Sequence, residues 1–202
     1  MAGAAGLIVP NVLSANLNRN ESAAIAALKN ISSGQSQMQA SGLIDENGNG
    51  AGEYGFFAEM AGAVPSRGGR VCSPPVLSPR FGRLDGGRVH TGGYVFQMFL
   101  RGPDGTWVAE AANGGAASVA VDASRAELEW LCYAWPESRD WSGKRAFLMT
   151  QGGDVLASNL SARAYGGEVG PEPGVAGFRV GGSEGAIAAN EIDAFGNMWV
   201  VV

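Results

Sequence analysis

Lysine is nearly missing from this chain: Lys29 and Lys144 are its only two, His90 is its single histidine, and Cys72 and Cys132 are its only cysteines. Each scarcity excludes something. A chain with so few lysines and a formal net charge of −5 has no basic footprint for a phosphate backbone, so nucleic acid is not an expected partner. Two cysteines cannot cage a metal, and no Cys-x-x-Cys spacing marks redox chemistry. Cys72 and Cys132 are expected either as one disulfide in an oxidising compartment or as two separately buried thiols. Long apolar runs are missing too. Met1–Val9 is apolar but lacks a basic n-region, Pro10 interrupts it, and a membrane span needs about 20 apolar residues. As given, the chain is expected to be soluble, monomeric or weakly associated through residues 1–20.

Catalytic constellations are thin. Gly181-Gly-Ser183-Glu-Gly185 matches the pattern Gly-x-Ser-x-Gly, but that chemistry needs a histidine after the serine, and His90 lies upstream. Ser183 is therefore expected in a plain turn. Gly143-Lys144-Arg145 lacks the upstream glycine and the Ser/Thr of a phosphate-binding loop. No enzymatic activity is expected.

Glycine is abundant instead, with 32 copies in 202 residues, about 16% against an average of roughly 7%. The copies follow no Gly-X-Y period and punctuate short apolar runs, which suits strands joined by tight turns. Charge divides unevenly along the chain. Residues 1–42 carry Arg19, Lys29 and Glu21, net +1, which leaves net −6 for residues 43–202.

From Pro10 to Ser41 the apolar residues Leu13, Leu17, Ala24, Leu28, Ile31 and Met38 recur at helical spacings, with Gly42 as a natural end. Asn16, Asn18, Arg19, Glu21, Lys29, Gln35 and Gln37 form the opposite, polar face. Beyond Gly42 the period changes. Residues 62–91 read as a long Gly/Pro/Ser/Arg-rich excursion. Strands are expected at Tyr94–Leu100, Thr106–Ala109, Leu128–Ala134, Arg145–Thr150, Val155–Ser158 and Met198–Val202. The expected class is α+β, a long N-terminal α-helix (1–42) packed on an antiparallel β-sheet head (43–202). Trp130, Tyr133 and Trp135 fall on alternating strand faces, which favours core packing over a ligand-stacking strip.

The strongest local chemical signal is Asp45-x-Asn47-x-Asn49-Gly50-Ala51-x-Glu53. Oxygen side chains at alternate positions with glycine sixth suit a loop that wraps a hard cation, with the Ala51 carbonyl as a further ligand. The glutamate of an EF-hand's twelfth position is replaced by Phe56, and only Asp45 and Glu53 are charged, so any calcium site would be a weak one. Without metal, the same residues make a turn.

The stretch Gly6-Leu-Ile-Val-Pro10-Asn-Val-Leu-Ser-Ala15, followed by Asn20-Glu-Ser-Ala-Ala-Ile25-Ala-Ala-Leu-Lys-Asn30-Ile, resembles the second half of a type IV pilin or pseudopilin N-terminal helix. Phe56-Phe-Ala-Glu-Met after the Asp45–Gly55 loop, Cys132-Tyr-Ala-Trp-Pro136, Arg145-Ala-Phe, Gly153-Asp-Val155 and the terminal Trp199-Val-Val-Val resemble a branch of prepilin-like proteins with a β-rich head. The family's cleavage motif and about a dozen residues of its membrane-spanning helix do not occur in this sequence. The resemblance implies a structural subunit of a type IV pilus-like or type II secretion pseudopilus filament, in the cell envelope or an extracellular filament. Leu7, Ile8, Pro10, Leu13 and Leu17 would be its assembly face. Its partners would be copies of itself or related pilin-like subunits and the assembly machinery, with a membrane involved only if an upstream apolar helix is present. The rival expectation is a secreted or periplasmic calcium-dependent binding or adhesion module.

Overall fold

The computed structural model describes residues 8–116, 121–181 and 186–202, with side chains of the first helix from Val12 onward. Helix α1 runs over Ile8–Ser41. Pro10 falls in its first turn, where a missing N–H costs no helical hydrogen bond. The helix stops where Gly42 takes φ +58°, a left-handed conformation that a side chain disfavours. Two single-turn helices follow, α2 (Phe57–Met60) and α3 (Ala123–Ala126).

The strands are β1 (Val89–Thr91), β2 (Tyr94–Arg101), β3 (Trp107–Ala109), β4 (Trp130–Pro136), β5 (Ala146–Thr150), β6 (Val155–Ser158), β7 (Glu191–Ile192) and β8 (Met198–Val201). They form one antiparallel sheet in the order β1-β2-β4-β5-β6-β8-β7, with β3 also paired to β2. Most of the expected strands stand within a residue or two of their sequence positions. The segments at 89–91 and 191–192 were not foreseen, being too short to show a period.

The expected class, α+β with a long helix packed on a pilin-like sheet head, needs correction. Among the described residues, regular structure outside α1 is almost entirely the eight-stranded antiparallel sheet, and the other α-helices are four residues each. Nor is the sheet a head with one covered face. Every residue of β4, β5 and β6 is buried, so both faces need cover. One core joins Leu28, Ile31 and Met38 of α1 to Phe96, Met98, Cys132, Phe147 and Met149. The second, on the opposite face, joins Val95, Tyr133, Trp135, Leu148 and Trp199 to Tyr165, Ala176 and Phe178 of the segment after β6. The molecule is a β-sheet protein with one long helix on one face and irregular chain on the other.

Trp130, Tyr133, Trp135 and Trp199 are all fully buried and divide between these two cores. Cys72 and Cys132 are both free and buried.

Candidate functional site

Past Gly42 the chain turns back across the end of α1. A Cβ at Gly52 would collide with the Gln39 carbonyl oxygen, so only glycine allows this approach. Within the loop the oxygen side chains bond to the loop itself. Asp45 Oδ1 accepts from the Asn49 N–H and Oδ2 from the Gly50 N–H, both at 3.1 Å. Asn47 Oδ1 accepts from Asn49 N–H at 3.0 Å, and Asn49 Oδ1 from Ala51 N–H at 2.7 Å. The two asparagine amides both donate to Glu127 Oε1, at 2.7 and 2.8 Å. Gly48 and Gly50 supply the positive φ values, +68° and +87°, that this curl requires.

Glu53 has a different partner. Its side chain is fully buried; Oε1 accepts from Glu46 N–H at 2.6 Å and Oε2 pairs with Arg67 Nη2 at 3.2 Å. The structure thus brings Asp45, Asn47, Asn49 and Ala51 into one self-bonded turn, and directs the Glu53 carboxylate to a guanidinium. Among the described residues no group of three or more His, Cys, Asp or Glu is placed to hold a metal ion.

Arg67 is the centre of a buried charge cluster that sequence reading missed. It pairs with Glu46 at 3.3 Å, Glu53 at 3.2 Å and Glu59 at 3.4 Å, and donates to the Tyr54 carbonyl at 2.7 Å. Glu59 also accepts from Phe56 N–H at the start of α2 and from Arg67 N–H. Burial pushes its carboxyl above the ordinary value, and Arg67 and these N–H groups offset part of that rise. Beside it, Glu110 accepts from the N–H groups of Phe57, Ala58 and Gly115 at 3.0, 2.8 and 3.2 Å. Burial pushes the Glu110 carboxyl up to about 8, against the pull of these three donors. A Phe-x-x-Glu helix start was the only local sign of this arrangement. Arg67 sits inside the Gly/Pro/Ser/Arg-rich excursion, where one arginine looks like the next.

Of the expected assembly face, Leu7 lies outside the described residues, and Ile8 and Pro10 are described only as backbone of α1. Val12 is 52% exposed, Leu13 is partly buried and Leu17 is buried at 4%. Leu17 borders a groove shared with Ser14, Asn18, Glu21, Lys144 and Arg145. Here the polar face of α1 proves to be a docking face. Glu21 is buried; its Oε1 accepts from Lys144 and Arg145 N–H at 2.9 and 3.2 Å, and Oε2 from Arg145 Nε at 2.8 Å. Asn20 adds a bond to the Ser142 carbonyl at 3.0 Å. Ser183 of the Gly-x-Ser-x-Gly match lies outside the described residues. His90 sits on β1 with Nδ1 at 3.3 Å from Glu137. No helix among the described residues is long and apolar enough to cross a membrane.

Comparison with known proteins adds no relative: no family model, no curated protein and no solved structure matches this chain.

Proposed function

We propose that this protein is a non-catalytic structural subunit of a filament of the type IV pilus-like or type II secretion pseudopilus kind, working in the cell envelope or outside it. The observation that supports the reading is the division of α1. Leu28, Ile31 and Met38 in its C-terminal half are 0, 0 and 1% exposed, whereas Val12, Ala15 and Asn16 in its N-terminal half face solvent. The N-terminal half touches the rest of the chain along one side only, through Leu17 and Glu21, and leaves its other side for lateral packing. Its partners on this reading are copies of itself or related pilin-like subunits and their assembly machinery. Trp130, Trp135 and Trp199 are buried, and Trp141, 72% exposed, is a single ring rather than an aromatic platform for a polymer, which favours this reading over the adhesion module. Calcium remains a second reading through the Asp45–Asn49 turn, opposed by Arg67, which already neutralises Glu53.

Sedimentation velocity over rising protein concentration, with electron microscopy of the concentrated sample, tests the proposal. Weak self-association that disappears when residues 1–20 are removed supports it. A strict monomer at every concentration, with no filaments, overturns it.

A further inference from the structure

α1 covers only part of its face of the sheet, lying over β4, β5 and β6. The same face continues across β8 and β7. Register fixes which side chains it carries there. Ala157, in the α1-side core, is the cross-strand partner of Val200, so Met198, Val200 and Val202 lie on that face by alternation. Ile192, the partner of Met198, joins them, while Trp199 points into the opposite core. Ile192, Met198, Val200 and Val202 are 56, 42, 37 and 43% exposed. Together they make an apolar strip of roughly 300 Å², comparable to the largest patch on a typical monomer.

We infer that this strip receives the N-terminal half of α1 from a second copy of the chain. The inference rests on the filament reading above and names its interface. Width is the first argument. Strands lie about 4.8 Å apart, so β8 is about 10 Å from β5, close to the 8–10 Å at which two packed helices lie side by side. The strip has room for one helix next to α1. Supply is the second: Val12, Ala15 and Arg19 are exposed at spacings of three and four, on the side of the N-terminal half of α1 that faces away from buried Leu17 and Glu21. Charge is the third. Glu21 is taken by Arg145, so the helix presents Arg19 and Lys29 outward, and residues 43–202 carry net −6. The helix of one copy is thus drawn to the body of the next. Area sets the strength. A helix laid on the strip buries about 600 Å² in total, far below the roughly 1,600 Å² of a stable pair. One contact is weak, and many in series add up. The two surfaces differ, so the contact is heterologous and builds an open array unless its rotation closes a ring.

Two variants of the full chain that each add one surface cysteine, Val12→Cys and Val200→Cys, test the docking. Both positions are exposed, and the native Cys72 and Cys132 are 7 and 0% exposed, so oxidised wild type serves as the blank. Mild oxidation of the mixed variants should give a disulfide-linked dimer several-fold more abundant than either variant gives alone. Linkage of Val12→Cys to itself at an equal or greater level would mean that helix meets helix, overturning the docking and leaving the filament reading in place. Absence of the mixed dimer also overturns the docking, and sedimentation of the same samples then separates the two ideas. Concentration-dependent association keeps the filament reading, and a strict monomer removes it as well.

Discussion

Gln35 and Gly55 are joined through both ends of the glutamine amide: Nε2 donates to the Gly55 carbonyl at 2.8 Å, and the Gly55 N–H donates to Oε1 at 2.9 Å. The pair is buried, and it ties the C-terminal part of α1 to the chain entering α2 where neither group can reach water. Gln35→Leu fills similar volume but leaves the Gly55 N–H and C=O unpaired. It should cost about 2–6 kcal/mol, since each of the two buried unsatisfied groups costs about 1–3 kcal/mol. Urea denaturation of the two proteins measures it, and a loss below half a kcal/mol would mean that the amide is not holding the helix.

The helix should divide energetically as it does structurally. Leu28 is fully buried in the α1-side core, and Leu28→Ala should cost roughly 2–5 kcal/mol. Leu17 is 4% exposed at the edge of a groove, outside both cores, so Leu17→Ala should cost less, and Val12→Ala close to nothing. Thermal melts of the three variants check the order. Equal shifts for Leu17→Ala and Leu28→Ala would contradict the anchoring of α1 by its C-terminal half.

Stability should fall as pH rises through the range set by Glu110. Its carboxyl is held up at about 8 in the folded protein, against about 4.3 for an unperturbed glutamate. Between these values the folded state binds the extra proton, so the slope of unfolding free energy with pH is negative. This contribution is fully present below the unfolded value and is lost as pH rises through the folded one. Glu59, raised in the same direction by burial, adds to the trend. Denaturation midpoints from pH 5 to pH 9 for wild type and Glu110→Gln should diverge, with the variant showing the shallower decline. Parallel curves would show that Glu110 does not titrate in this range.

Asp45 should matter without any metal. Its two oxygens hold the Asn49 and Gly50 N–H groups, so Asp45→Ala should lower the melting temperature in the presence of a chelator by an amount equivalent to about 1–2 kcal/mol. Melts with millimolar calcium then separate the two roles of the loop. A calcium-dependent rise in wild type that Asp45→Ala removes would assign the turn to metal, whereas equal melts with calcium and chelator would leave it a turn alone.

Features that depend on near neighbours in the chain could be read from the residues alone. The apolar spacing of Leu13, Leu17, Leu28, Ile31 and Met38 marked α1, and Gly42 marked its end because only a left-handed residue closes the turn there. Apolar runs between glycine-rich turns marked β2 to β6 and β8 to within a residue or two. The loop at Asp45–Asn49 was legible too, since asparagine, aspartate and glycine bond to backbone only a few positions away. What remained hidden depends on residues far apart in the chain. Glu21 and Gln35 belong to the polar face of α1, and only the meeting with Arg145 and Gly55 turns them into buried docking groups. Glu53 reads as a metal ligand until the fold brings Arg67 beside it. The second covered face of the sheet is tertiary in the same sense: strands buried on both sides carry no alternation to announce it, and the residues that cover them, Leu160, Tyr165, Ala176, Phe178 and Phe195 among them, follow almost no period of their own.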